Sequence, residues 1–328
     1  VVGEGYHHAA GKAHAEVLAL KAAGALAKGA TLYTTLEPCC HTKKRTGPCT
    51  EILIKSGVVR VVSAMKDPNP LVSGKGFQKL KEAGIQVEQG LLREAAELLN
   101  EVFIKNMETA QPFVTLKAAM TLDGRIATAS GESKWISGEK ARREVDGLRA
   151  AADGILVGIG TVLADDPMLR LRKKKGKNPT RVVLDPHLKI PLSSQLVETA
   201  QETPTVILTT EKASPSQLKV LEEKGVFVRK IVLQGQEMPF EVILHDLAKY
   251  GITHLLVEGG GVVNGIALRS GCVDRVIFYI SPRFLCGADA KGVVTGRALP
   301  SLALAPLLKN VKVRRMGEDI RIEGRLIK

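Results

Sequence analysis

The stretch Thr35-Leu-Glu-Pro-Cys-Cys-His-Thr-Lys-Lys-Arg-Thr-Gly-Pro-Cys49, together with the earlier His14-Ala-Glu16, decides how the first third of the chain is read. One His and two Cys can hold a zinc ion in three positions and leave the fourth for water. A carboxylate two residues from the His, Glu16, can move protons for that water. His14 opens an apolar helical run that ends at Gly29, residues 31–36 are strand-like, and Cys49 immediately precedes a second helical run. Helix N-termini stabilise thiolates, because unpaired backbone N–H groups converge there. Taken singly, a His beside a helix start is ordinarily a surface residue and a buried Cys an inert thiol. In the order strand, helix, strand, Cys, they favour a metal site with ligands His14, Cys39 and Cys49 and Glu16 as proton carrier. Cys40 is expected beside the ion or facing substrate. His41 is a ligand by chemistry but lies one residue further into the loop.

His-x-Glu followed by Pro-Cys and a second Cys is the signature of zinc deaminases acting on nucleobases. Their cysteines usually stand two residues apart, whereas nine residues separate Cys39 from Cys49. Five cysteines in all, three of them within residues 39–49, favour metal or reactive thiols over a disulfide framework. A reducing, cytoplasmic setting is therefore expected. No apolar run approaches the ~20 residues that span a bilayer. The chain begins Val1-Val2-Gly3 without Met.

A net charge of +13 points to an anionic partner. Aromatics at 4% are poor material for stacking single-stranded bases, and the basic residues are dispersed apart from Arg170, Arg172, Lys173, Lys174, Lys175 and Lys177. A phosphorylated small molecule explains the charge better than nucleic acid does. At 328 residues two domains are expected. Residues 1–6 read as a strand end, and strands at 58–65 and 85–88 alternate with helices at 50–56, 74–84 and 91–107. The pattern restarts near residue 110, with strands at 113–120, 154–157, 181–184, 205–208, 226–229 and 254–257 separated by helices, and a strand-rich finish. Two α/β domains follow, 1–109 and 110–328.

In the second domain Leu255-Leu-Val-Glu-Gly-Gly-Gly261 runs from a strand into an apolar stretch. Consecutive glycines let a phosphate approach the backbone, and a following helix N-terminus favours its charge. A tight strand-to-helix connection explains the same residues equally well, and the pattern is not Gly-x-Gly-x-x-Gly. A second glycine-containing loop, Gly158-Ile-Gly-Thr-Val-Leu-Ala-Asp-Asp-Pro167, reads neutrally as a turn with an Asp helix cap.

The Thr35–Cys49 stretch, Met65-Lys-Asp-Pro-Asn-Pro-Leu-Val-Ser-Gly-Lys-Gly76, Leu116-Lys-Ala-Ala-Met-Thr-Leu-Asp-Gly-Arg125, Ala129-Ser-Gly-Glu-Ser-Lys-Trp-Ile136 and the two glycine loops closely resemble one family. It is the bifunctional riboflavin-biosynthesis enzyme that joins a diaminohydroxyphosphoribosylaminopyrimidine deaminase to a 5-amino-6-(5-phosphoribosylamino)uracil reductase. The long cysteine gap with its Arg-Thr-Gly-Pro-Cys ending separates it from cytidine and transfer-RNA deaminases, although Gly47 stands where Pro is common. The resemblance implies a cytidine-deaminase-like α/β/α domain with zinc and a dihydrofolate-reductase-like domain using NADPH. It implies that Ala119, Trp135, Thr161 and Asp165 contact the dinucleotide, and that Gly260, Gly261, Val262, Val263, Asn264, Gly265 and Ile266 cradle its phosphates. Ser133, Arg149, Leu169, Arg172 and Glu258 match positions that contact the phosphoribosyl substrate, and arginines can bind phosphate bidentately. Hydride delivered to C1 of the ribose needs a proton at the ring oxygen, for which Asp165, Glu258 and Lys117 are open alternatives.

Family members carry a helix, a strand and an Asn-Pro loop before the point matching Val1, so an N-terminally truncated deaminase domain is expected. A reductase with an impaired deaminase is accordingly the alternative. A basic nucleic-acid-binding protein with a closed, four-ligand structural zinc is the reading from another class. A phosphoribosylaminopyrimidine substrate, a homodimer or higher homo-oligomer, and neither nucleic acid nor membrane complete the expectations.

Overall fold

The computed structural model describes residues 1–9, 11–42, 47–172, 176–235 and 237–327, so Lys173, Lys174 and Lys175 of the basic run lie outside the described residues. The chain divides into two compact units, Val1–Ala110 and Gln111–Lys328.

The first unit is built on three parallel strands in the order β1 (Thr31–Thr34), β2 (Arg60–Ser63), β3 (Gln86–Gln89). Its helices are α1 (Ala15–Ala23), α2 (Cys49–Ser56), α3 (Lys75–Glu82), α4 (Arg93–Leu99) and α5 (Glu101–Thr109). Parallel strands need crossover helices, and here these helices bring apolar faces onto the sheet. Leu53, Val58, Val61, Leu80 and Ile85 form the core, with Leu20, Leu32 and Val87 against it. Two expectations fail locally. Residues 1–6 form no strand: Gly3 and Gly5 lie directly on the backbone of α1, where a Cβ would collide with Ala19 and Ala15. The run 91–107 is two helices, broken at Asn100, whose amide side chain donates to the Ala96 carbonyl oxygen at 2.9 Å. That local bond offers the last turn of α4 an alternative to continuing.

The second unit contains a nine-stranded sheet made from β4 (Phe113–Thr121), β6 (Gly154–Gly158), β7 (Thr180–Leu184), β8 (Thr205–Thr209), β9 (Phe227–Lys230), β10 (His254–Val257), β11 (Arg275–Ser281), β13 (Leu308–Met316) and β14 (Asp319–Leu326). A short pair joins β5 (Arg125–Ala127) to β12 (Lys291–Gly292). The order is β13-β14-β11-β4-β10-β6-β7-β8-β9. Pairing is parallel from β11 through β9, and the β11–β14–β13 edge is antiparallel. Helices α6 (Glu139–Ala151), α7 (Ile159–Asp165), α8 (Gln195–Glu198), α9 (Pro215–Glu223), α10 (Phe240–Lys249) and α11 (Gly261–Arg269) make the crossovers. The second glycine loop is thus largely the helix α7, not a turn.

Side-chain alternation divides the core in two. Leu116, Leu156, Val182 and Leu208 pack with α10 and Ala267 of α11 on one face, while Ile155, Val157, Val183, Ile207 and Leu256 pack on the other. Strands buried on both faces read as unbroken apolar runs, which is why β6 and β8 were legible. At the bottom of the sheet, burial holds the His254 imidazole below its ordinary pKa. Its Nδ1 lies 2.9 Å from the Ala151 carbonyl and its Nε2 2.9 Å from the Thr115 hydroxyl.

Helix α11 sits close against the segment 293–295, because a Cβ on Gly265 would strike the Thr295 carbonyl oxygen. Gly265→Ala is expected to cost the second unit about 1–3 kcal/mol through forced displacement of that segment. Thermal unfolding followed by calorimetry checks this, with the transition of the first unit as internal reference.

Candidate active sites

The first unit brings three donors together. His14 caps α1 with an extended backbone, Cys49 is the first residue of α2, and Cys39 lies in the segment after β1. His14 Nδ1 is 3.5 Å from Cys39 Sγ and 3.3 Å from Cys49 Sγ, and the three donor atoms lie within 4.8 Å of one another. The Cys49 backbone N–H donates to Cys39 Sγ at 3.5 Å, and the Thr50 N–H donates to the Cys39 carbonyl at 3.2 Å. The first amide of α2 therefore faces the Cys39 sulfur, which favours a thiolate there. Both cysteines are buried, with Val72 packed against them. A borderline-soft cation that accepts nitrogen and sulfur in tetrahedral geometry fits this set, and zinc is that cation. Three donors leave an open position. Glu16 lies in the first turn of α1, half-buried, two residues beyond His14.

Cys40 is not part of the cluster. Its sulfur is directed to the Leu71 carbonyl at 3.9 Å, and burial, with Glu37 and Cys39 nearby, pushes its thiol pKa up. His41 also stands outside the cluster.

The second unit has a cavity of about 760 Å³ at the C-terminal ends of β4 and β10. Open α/β sheets bind ligands at this edge, where the loops diverge. Glu258 follows β10 directly and accepts two hydrogen bonds from Arg149, Nε to Oε1 and Nη2 to Oε2, each 2.9 Å. Lys117 Nζ on β4 lies 4.0 Å from Oε2 of the same carboxylate. Burial pushes Glu258 up, but Arg149, Lys117 and Arg172 outweigh it and hold the carboxyl at about 2. Burial pushes the Lys117 ammonium down, Arg149 and Arg172 act the same way, and Glu258 only partly opposes them.

The glycine loops, far apart in sequence, stand side by side. A Cβ on Gly158 or Gly259 would meet Val263 of α11, and the hydroxyl of Thr161 faces Gly260. Gly260 caps α11 with an extended backbone, leaving the first helical N–H groups outside the helical ladder. Among the described residues a Cβ on Gly260 would find only Thr161 Oγ1, at 3.9 Å, so the backbone there is open to a phosphate.

Residues 112–322 match the family described as the RibD C-terminal domain, and residues 1–65 match the cytidine and deoxycytidylate deaminase zinc-binding region. The riboflavin biosynthesis protein RibD of Aquifex aeolicus is 44% identical over 324 residues, covering 98% of this chain and 88% of that one. This chain belongs to the RibD family. It is a bifunctional enzyme of riboflavin biosynthesis, combining a zinc-dependent deaminase with an NADPH-dependent reductase. The structure of Acinetobacter baumannii RibD superposes with a TM-score of 0.86 at 39% identity, covering all of this chain (100%) and 89% of that one. A Thermotoga maritima diaminohydroxyphosphoribosylaminopyrimidine deaminase/5-amino-6-(5-phosphoribosylamino)uracil reductase superposes at 0.83 with 35% identity, covering 100% and 89%. The zinc-binding match spans His14, Glu16, Cys39 and Cys49, so an impaired deaminase is not favoured. No helix among the described residues is long and apolar enough to cross a membrane.

Of the reductase residues expected from the RibD resemblance, Ala119, Ser133, Trp135, Arg149, Asp165, Leu169, Arg172 and Glu258 line the cavity together. Ser133 Oγ lies 3.3 Å from Asp165 Oδ1. Trp135 is more than half exposed, with the Arg142 guanidinium 4.6 Å and that of Arg172 5.8 Å from its ring centre, so it is a cavity wall and not a core Trp. Thr161, Gly260, Gly261 and Val262 cluster at the α11 N-terminus, whereas Asn264 and Gly265 are buried inside the helix. The Asn264 side chain donates to the Val293 carbonyl at 2.8 Å, and Ile266 packs against the core beneath. Arg149 departs from the bidentate phosphate role read from its residue type. Its Nε and Nη2 are taken by Glu258, and its Nη1 donates to the Arg170 carbonyl at 3.3 Å.

Sequence reasoning missed Arg142 and Asp146, which line the cavity from α6. The spacing of 142, 146 and 149 on one helical face was the available signal.

Arg149→Met leaves a buried carboxylate with one cation fewer, and is expected to destabilise the second unit by about 3–5 kcal/mol. Glu258 ionises at about 2 in the fold against an ordinary 4.5. Its contribution to stability is thus full above roughly pH 4.5 and is lost as the pH falls toward 2. In the variant the acid limb should move to higher pH, read by denaturant titrations across the acidic range.

Proposed function

We propose that residues 1–109 deaminate 2,5-diamino-6-(5-phosphoribosylamino)pyrimidin-4(3H)-one. Residues 110–328 then reduce the ribosyl group to ribityl, giving 5-amino-6-(5-phosphoribitylamino)uracil. The convergence of His14, Cys39 and Cys49 on one point, with Glu16 in the same helical turn, carries this reading. Zinc supplies Lewis acidity that brings the pKa of a water to roughly 7. Glu16 takes a proton from the attacking water and returns it to the departing amine. Cys39 and Cys49 keep two anionic donors in a buried setting, which fixes ligand orientation and excludes bulk water.

In the second unit NADPH supplies the hydride. Gly260, Gly261, Val262 and Thr161 offer backbone N–H and hydroxyl groups to its phosphates. Val263, Asn264, Gly265 and Ile266 hold that turn in place through the α11 core. Ala119, Trp135 and Asp165 line its path, and Ser133, Leu169 and Arg172 take the phosphoribosyl group. Glu258 is held ionised by Arg149 and cannot donate a proton near neutrality. With Glu258 ionised, Lys117 and Asp165 are the donors left in the cavity lining, and Lys117, whose ammonium burial pushes down and whose Nζ lies 4.0 Å from Glu258, is our choice to deliver the proton to the ribose ring oxygen. Arg149 orients Glu258 and adds positive field for the substrate phosphate.

We further read the enzyme as a cytoplasmic homodimer or higher homo-oligomer. The thiol-based metal cluster supports a reducing compartment, and the exposed edge strand β13, with Val311 and Val313 over half exposed, supports self-association. Light scattering tests the latter.

Glu16→Gln is expected to retain zinc and abolish ammonia release from the diamino substrate, while oxidation of NADPH on pre-deaminated substrate continues. Loss of both activities would refute the two-site reading. Lys117→Met should lower reductase kcat by about 10²–10⁴-fold and leave ammonia release unchanged, measured by single-turnover absorbance.

A further inference from the structure

Glu37 lies two residues before Cys39 and is 2% exposed. Its carboxylate accepts four backbone hydrogen bonds. Oε2 takes the N–H groups of Asp67 at 3.1 Å and Gly74 at 2.9 Å, and Oε1 takes those of Gly76 at 2.9 Å and Phe77 at 3.2 Å. The Glu37 backbone N–H donates to the Met65 carbonyl at 3.0 Å. Residues 37 and 65–77 are therefore joined at five points, four of them charge-assisted. Gly74 has φ +85° and caps α3, so the carboxylate also meets the positive end of that helix.

The joined segment reaches the metal ligands. The Asp67 carboxylate accepts the Asn69 N–H at 2.8 Å, the Asn69 side chain accepts the Leu71 N–H at 3.0 Å, and these turns deliver Val72 onto Cys39 and Cys49. Gly76, already a donor to Glu37, also lies against the Pro38 carbonyl oxygen, leaving no room for a Cβ. The Met65–Gly76 stretch, which by sequence is only a Pro-stiffened loop, is thereby the wall of the metal site.

We propose that Glu37 is a positioning residue for the deaminase centre: its four backbone bonds lock the Pro38–Cys39 ligand segment and the Val72 wall in one register. The inference rests on the zinc reading above. Partners that orient metal ligands typically contribute about 10–100-fold to affinity or activity.

Glu37→Gln keeps the volume but turns two of the four acceptor directions into donors facing N–H groups. Gly76→Ala keeps the carboxylate chemically but drives a Cβ into the Pro38 carbonyl oxygen and to 3.0 Å from Glu37 Oε1, straining the same junction sterically. In the full-length chain, both variants are expected to release zinc to a chelator at least about tenfold faster and to lower kcat for ammonia release by about tenfold or more. Cobalt-substituted protein should show altered ligand-field and thiolate charge-transfer bands, which a residue that only stabilises the fold would leave unchanged. NADPH oxidation on pre-deaminated substrate should be unaffected and certifies the second unit. Folded variants with wild-type zinc release and cobalt spectrum overturn the proposal. So does loss of the first unit's unfolding transition that excess zinc does not restore, since Glu37 is then a stability residue. A wild-type chain that binds cobalt without thiolate bands, or releases no ammonia, defeats the zinc reading instead.

Discussion

A carboxylate removed from water must be met by donors or cations, and each unit is organised around one that is. Glu37 follows β1 and is satisfied by four backbone N–H groups. Glu258 follows β10 and is satisfied by the Arg149 fork and Lys117. The two solutions have different consequences. Backbone donors are fixed by the fold, so Glu37 converts a loop into a wall. Side-chain cations gather around the carboxylate, so Glu258 holds Arg149 and Lys117 together on the cavity wall.

Both carboxylates sit where parallel strands end. The geometry of parallel pairing makes this natural, because every crossover helix begins near that edge and brings its unpaired N–H groups with it. In the first unit the edge collects His14 at the start of α1 and Cys49 at the start of α2. In the second it collects the start of α11 at Gly260 and the α6 face bearing Arg142, Asp146 and Arg149. A metal that prefers thiolates and a cofactor that carries phosphates are served by the same local electrostatics.

Much of this was legible in the sequence. Continuous apolar runs at β6, β8 and β10 announce strands buried on both faces, and the restart near residue 110 coincides with the division at Ala110. His14, Cys39 and Cys49 stand out by residue type and order, a His and a Cys at helix starts and a second Cys after a strand. The misses are also physical. Residues 1–6 have strand composition but lie on α1, because Gly3 and Gly5 permit backbone contact that no periodicity encodes. Asn100 breaks a helix through a side-chain bond to Ala96, invisible in an amphipathic pattern. Arg149 has the residue type of a phosphate fork, yet Glu258, just beyond β10 and far from α6 in sequence, occupies that fork.

Sequence by itself determined the donor chemistry, the two α/β units and the family, because these depend on residue type, local periodicity and motif spacing. Tertiary structure alone decided which charges are paired, which are buried and which loops touch. Glu37 meets residues 67–77, Glu258 meets Arg149 across 109 positions, and the Gly158 loop meets Val263 only after the sheet has ordered its strands. Hydrogen bonds and desolvation act over a few ångströms, and no sequence separation records that distance.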